Sequence, residues 1–250
     1  MRKNTNYKII IIALIVGALI GSFVTYSFVL TPASIRQQIS TVRLDNPKSS
    51  IAEINLAAVD RNGKGAVTGL IVEAKPGTGK ILTDIDKLLF WVDTQQSIQI
   101  AKAVAQNVTG INADNYDIIY TIAGDNISLV GGPSAGAAIT LATIAVLKNE
   151  TVPEDIMITG TIEPDGSIGE VGGILEKAKA AREIGTTLFL VPDGEGIQTY
   201  LKPEENCSRV GGFIYCETTY RQITVNIGNN VGIDVKEVSD IYEALKYFNL

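Results

Sequence analysis

Gly132-Pro133-Ser134-Ala135-Gly136-Ala137-Ala138-Ile139-Thr140-Leu141-Ala142-Thr143-Ile144-Ala145-Val146-Leu147 organises everything around it. From Ser134 onward the stretch is apolar nearly all round, so residues 134–147 are expected as a helix enclosed by other elements. Its opening has the form G-x-S-x-G. Small neighbours there expose a serine at a strand-to-helix turn, and backbone N–H groups point at a developing oxyanion. The backbone around the serine, at Gly132, Pro133 and Ala135, is the candidate oxyanion cradle. The pattern alone has little specificity. The α/β-hydrolase reading it suggests fails, because that mechanism needs a histidine base and the chain contains none. If Ser134 is a nucleophile, its base is a different kind of residue.

Working outward, residues 51–59 and 66–74 read as strands joined into a hairpin by Asn62-Gly63. Residues 93–108 place Ile98, Ala101, Val104, Ala105 and Val108 on one helical face. Residues 116–122 read as a buried strand, 156–162 as another, Pro164-Asp165-Gly166 as a tight turn and 188–191 as a further strand. A helix is expected at 239–248. Helices and strands alternate without a regular β-α-β repeat, which predicts an α+β fold and not a doubly wound sheet.

The helix predicted at 174–184 supplies a base. At about 100° per residue, Ile174, Leu175, Ala178, Ala181 and Ile184 form its apolar face and Glu176, Lys179, Arg182 and Glu183 its polar one. Lys177 falls between Ala181 and Ile184, on the apolar side. A lysine acts as a base only where desolvation favours its neutral form, and this position provides that. The plainer alternative is a lysine that snorkels at the edge of the core.

Composition excludes several classes. A net charge of −6, a pI near 4.8 and no basic run interleaved with aromatics argue against nucleic acid as a partner. Without histidine there is no His-based triad and no H-E-x-x-H zinc site. Glu163, Asp165 and Glu170 flank a P-D-G turn and read as solvated, so neither metal nor cofactor is expected.

Residues 9–30, opening on Ile9 and closing on Leu30, form an almost unbroken apolar run after Arg2, Lys3 and Lys8. The run has the length of roughly 20 residues that spans a bilayer. A single N-terminal transmembrane helix is the expectation, with a cleaved signal peptide as its rival. The organisation read from the chain is therefore an anchor at 1–30, a stalk at 31–49, a main folded domain at 50–200 and a C-terminal hairpin and helix at 201–250. Arg36, Arg43 and Lys48 dilute the orientation signal, and the domain is placed on the extracytoplasmic side, with the cytoplasmic face as the alternative. Cys207 and Cys216 flank Gly211-Gly212 and are placed to pair across a hairpin, unless they are two unrelated thiols. N-x-S/T triplets at Asn107, Asn126, Asn149 and Asn206 also fit an exported surface.

The series Val67-Thr68-Gly69-Leu70, Gly132-Pro133-Ser134-Ala135-Gly136, Thr159-Gly160 and Gly172-Gly173-Ile174-Leu175-Glu176-Lys177 resembles, in order and spacing, the proteolytic domain of the Lon protease family. The resemblance covers roughly residues 60–195. It implies a Ser134–Lys177 dyad that cleaves peptide bonds of protein substrates, with Thr159 beside the dyad to orient Lys177, unless Thr159 is an ordinary strand threonine. It also implies a hexameric ring. Two departures stand out. Gly131 occupies the position where many Lon enzymes carry an acid, and the family's ATPase module is absent. Gly77-Thr78-Gly79-Lys80 looks like part of a P-loop, but Ala74 and Ile81 break the pattern, and the segment reads as a hairpin turn. The expected activity is ATP-independent endopeptidase action on unfolded or membrane-associated proteins. The alternatives are a catalytically inactive Lon-like domain that binds peptides or membrane partners, and a signal-peptidase-like Ser/Lys protease.

Overall fold

A computed structural model describes residues 49–83, 92–123 and 132–250. The apolar run at 9–30 and the stalk up to residue 48 lie outside the described residues. Among the described residues no helix is long and apolar enough to cross a membrane.

The first half of the domain contains β1 (Ser50–Val59), β2 (Gly65–Pro76), β3 (Ile81–Thr83), α1 (Val92–Thr109), β4 (Tyr116–Ala123) and α2 (Gly136–Lys148). β1 and β2 form the expected hairpin, in register from Ser50 opposite Ala74 to Val59 opposite Gly65. Its turn is held by Asp60 Oδ1, which accepts from Asn62 N at 2.8 Å and Lys64 N at 2.9 Å. β4 pairs antiparallel with β2, and β3 runs parallel along the other side of β4.

That order corrects one expectation. Residues 77–80 do not close a hairpin, because the strands they join flank β4 on opposite sides. The loop folds instead around Asp117, whose Oδ1 accepts from Thr78 N at 2.8 Å and Lys80 N at 2.9 Å. These backbone bonds hold the Asp117 carboxyl below its ordinary range. The amides of the P-loop-like segment thus carry an internal carboxylate.

α2 is buried at every residue from Gly136 to Leu147, as its all-round apolar sequence requires. It packs on α1, β1 and β2. Its buried hydroxyls are satisfied locally: Thr140 Oγ1 donates to Gly136 O at 2.8 Å, Thr143 Oγ1 to Ile139 O at 2.7 Å, and Tyr120 OH pairs with Thr143 Oγ1 at 2.9 Å.

The second half contains β5 (Ile156–Ile158), α3 (Ile174–Glu183), β6 (Leu188–Pro192), β7 (Ile197–Val210), β8 (Phe213–Asn226), α4 (Ile227–Val231), β9 (Asp234–Val238) and α5 (Ile241–Phe248). β5, β6 and β9 form a parallel sheet with β6 at its centre, and α3 is the crossover from β5 to β6. The fold is mixed α and β. It joins a largely antiparallel sheet to a small β-α-β unit, whose strand, helix and strand were expected in that order but whose parallel pairing the sequence pattern did not reveal. The strand expected at 156–162 stops at Ile158. Thr159 N still bonds Leu190 O at 3.0 Å, but Gly160 N turns to Ser134 O and Thr161 N to Gly169 O.

No break appears at residues 200–201. β7 runs through them, β9 pairs with β6, and α5 buries Ile241, Ala244, Leu245 and Phe248. Residues at i, i+3, i+4 and i+7 make that inward stripe, capped by Asp240 Oδ1 accepting from Glu243 N at 2.8 Å. β7 and β8 form a two-stranded ribbon of 14 residues per strand, and every residue from 205 to 222 is exposed. Cys207 lies opposite Cys216 and the two form a disulfide.

Candidate active site

Ser134 occupies a 3-10 turn, Pro133–Ala135, and α2 begins only at Gly136. The serine therefore precedes the helix it was expected to open. Two glycines explain the local motif. Gly132 has φ +93°, a conformation that residues with a Cβ avoid. At Gly136 an added Cβ would lie 2.8 Å from both Ile162 N and Ile162 Cγ2, so a bare backbone is needed for the chain after β5 to approach.

That approaching chain fastens the turn. Gly160 N donates to Ser134 O at 3.0 Å, Ala137 N donates to Gly160 O at 3.1 Å, and Thr159 Oγ1 donates to Ser134 O at 3.3 Å. The Gly136 N–H is taken up by Pro133 O. Pro133 carries no N–H and so drops out of the expected oxyanion donors. With Gly136 and Ala137 committed, this turn's candidates narrow to Gly132, Ser134 and Ala135.

Lys177 approaches from α3. Gly173 is the helix N-cap, Lys177 N donates to Gly173 O at 2.9 Å, and the side chain lies with Ile174, Leu175, Ala178 and Ala181 on the buried face. Lys177 is only 3% exposed, so the snorkelling alternative does not describe it. Its Nζ lies 3.2 Å from Thr159 Oγ1. A threonine hydroxyl has one proton; with that proton on Ser134 O, Thr159 accepts from Lys177. One hydroxyl thus links the backbone of the serine turn to the lysine amine. Ser134 and Lys177 line the same cleft of about 440 Å³, with Val59, Thr161 and the segment 170–173 around them.

Burial pulls the Lys177 ammonium from its ordinary 10.5 down to about 8, against an upward pull from the Glu195 carboxylate. Glu195 is itself pushed up, first by burial and then by Glu170, while its contact with Val171 N at 3.4 Å and Lys177 pull the other way. The sequence reading offered no carboxylate near Lys177. Thr159 follows β5 and Glu195 follows β6, at the carboxyl ends of adjacent parallel strands, where α/β sites collect. Recognising the parallel pair was the missing step. Of the acids flanking the P-D-G turn, Asp165 accepts from Ser167 N at 3.0 Å and Ser167 Oγ at 2.7 Å, a local turn bond, and Glu170 borders the cleft.

Comparison with known proteins finds a match on the residues just described. Residues 92–205 match the Lon protease (S16) C-terminal proteolytic domain. Relatives include the archaeal Lon protease of Methanocaldococcus jannaschii, 31% identical over 163 residues, which are 61% of this chain and 24% of the relative. The Lon protease of Fusobacterium nucleatum is 26% identical over 188 residues, 72% of this chain and 24% of the relative. That of Vibrio parahaemolyticus is 30% identical over 172 residues, 61% and 22%. The chain therefore spans about a quarter of the length of the curated Lon proteases it matches. The Lon matches support a serine peptidase.

Proposed function

We propose that this chain is a membrane-anchored, Lon-type serine endopeptidase in which Ser134 is the nucleophile and Lys177 the general base. One observation carries the reading: a lysine that is 3% exposed, with its pKa lowered to about 8, shares a cleft with a serine in a chain without histidine. Neutral Lys177 takes the Ser134 hydroxyl proton as Oγ attacks the peptide carbonyl. The N–H groups of Ser134 and Ala135, or Gly132, stabilise the oxyanion. The lysine then passes its proton to the leaving amine, and water, deprotonated by the same lysine, resolves the acyl-enzyme. Thr159 holds the amine by one N–H bond, which leaves the lone pair of the neutral form to face the serine.

Turnover without ATP belongs to this reading, and the Asp117 carboxylate on the P-loop-like amides supports it. Anchoring rests on the apolar run at 9–30, and the extracytoplasmic placement is favoured by the Cys207–Cys216 disulfide. The test is hydrolysis of a fluorogenic peptide and of casein, with labelling by a fluorophosphonate, for the wild type and Ser134→Ala. Labelling and cleavage are both expected to vanish in the variant. A wild-type protein that neither labels nor cleaves would favour the inactive peptide-binding alternative.

A further inference from the structure

The β7–β8 ribbon has no role in the chemistry above, and its acids end at the disulfide. On the body side of the disulfide the shaft mixes charged pairs with exposed Leu201 and Tyr220. Lys202 faces Arg221, Glu204 faces Thr219 and Asn206 faces Glu217, with Arg221 Nε 2.9 Å from Glu204 Oε1. Beyond the disulfide, residues 208–215 contain no acid and one base, Arg209. The rest of that tip is dominated by Val210, Phe213, Ile214 and Tyr215, which are 67%, 81%, 70% and 64% exposed.

Register decides what such a tip fits. Ser208 pairs with Tyr215, Arg209 with Ile214 and Val210 with Phe213. Because successive pairs point to opposite faces, Val210, Phe213 and Tyr215 lie on one face of the ribbon and Ile214, beside the Arg209 stem, on the other. The apolar collar therefore surrounds the tip. A protein partner binds a face and leaves the opposite one in water, whereas an apolar medium that receives the tip covers both faces at once. Tyrosine and arginine at the margin of an apolar wedge are the residues that settle at a membrane–water interface. A 14-residue strand reaches on the order of 45 Å at about 3.4 Å per residue, enough to carry the tip well clear of the body.

We infer that the tip of the β7–β8 ribbon inserts into the interfacial layer of the lipid bilayer, giving the domain a second membrane contact besides its anchor. The occupant is lipid because the chain itself carries a run, residues 9–30, that would hold the domain beside a bilayer. The inference rests on that proposed anchoring.

The experiment uses the full chain reconstituted into liposomes, with Trp91→Phe removing the native indole and Phe213→Trp placing a reporter at the tip. Tyr220→Trp, on the shaft, is the control. The tip indole is expected to emit at shorter wavelength and to be quenched by lipids brominated near the headgroup end of the acyl chain, at the roughly 5–10 Å depth of interfacial segments. The shaft indole is expected to stay solvent-like and unquenched. Liposome-associated protein whose tip indole is solvent-like overturns the inference while leaving the anchor standing. Equal quenching at tip and shaft overturns insertion by the tip. A blue shift without lipid quenching points to a second copy of the chain and overturns it too. Protein that fails to float with the liposomes removes the anchor and the tip contact together.

Discussion

The pH dependence of cleavage follows from where Lys177 sits. Moving its pKa from 10.5 to about 8 disfavours the charged form by about 3 kcal/mol, at about 1.36 kcal/mol per pH unit. At pH 7 a lysine with a pKa of 8 is neutral in roughly one molecule in ten, against about one in three thousand for a solvated lysine. Burial thus enlarges the competent fraction about 300-fold. In the proposed mechanism only the neutral amine accepts the Ser134 proton, so kcat/KM is expected to climb about tenfold per pH unit below pH 7. It should bend near pH 8 and level off above about pH 9. Between pH 6 and pH 9 the rise should be on the order of ninetyfold. Glu195 opposes the effect of burial, so Glu195→Gln, which keeps an acceptor for Val171 N, should move the rising limb to lower pH and raise activity at pH 7. The assay is kcat/KM for a fluorogenic peptide without ionisable groups, across pH, for both proteins. A maximum near pH 5 would make an acid the base and end the Ser134–Lys177 assignment. A limb centred near 10.5 would mean that Lys177 is solvated in the working enzyme, and a limb that Glu195→Gln leaves in place would remove Glu195 from the argument.

Thr159→Val removes the hydroxyl between Ser134 O and Lys177 Nζ, and should lower kcat on the order of a hundredfold with little change in KM; a matching fall in thermal stability without the kcat loss would leave the hydroxyl only structural. Lys177→Met should abolish cleavage yet stabilise the fold by on the order of 1–3 kcal/mol at pH 7. The sign follows because a depressed lysine costs the folded state most below the folded pKa near 8 and nothing above 10.5. The gain should therefore fade as denaturant midpoints are measured between those values. Gly136→Ala would ordinarily favour a helix start, but its Cβ meets Ile162 at 2.8 Å, so a loss of about 1–3 kcal/mol and a displaced serine are expected by thermal melting and activity.

Much of this was legible in the chain itself. The buried helix behind Ser134 and the inward Lys177 declared themselves by periodicity, because a helix apolar all round must be enclosed and a lysine on an apolar stripe must be desolvated. The β1–β2 hairpin was legible from Asn62-Gly63. What stayed hidden depends on partners distant in sequence. The strand at 156–162, the helix at 174–184 and the strand at 188–191 were each read, but periodicity does not say which strands pair, so the parallel sheet could not be inferred. Without it there was no reason to bring Glu195 near Lys177. The loop at 77–80 was misread for a similar reason: its shape is dictated by Asp117 on a strand that lies between its two neighbours. Local turn chemistry cannot announce an intervening strand.

The burial of α2 bears on how rigidly the candidate site is framed. A helix enclosed from Gly136 to Leu147 exposes its amides to hydrogen exchange only when the whole domain opens, so its protection factors should sit near the global maximum. The serine turn leads directly into that enclosed helix. α3, by contrast, has a wet side at Lys179, Arg182 and Glu183. Amides on that wet side are therefore expected to exchange ahead of those of α2, which hydrogen exchange would read directly.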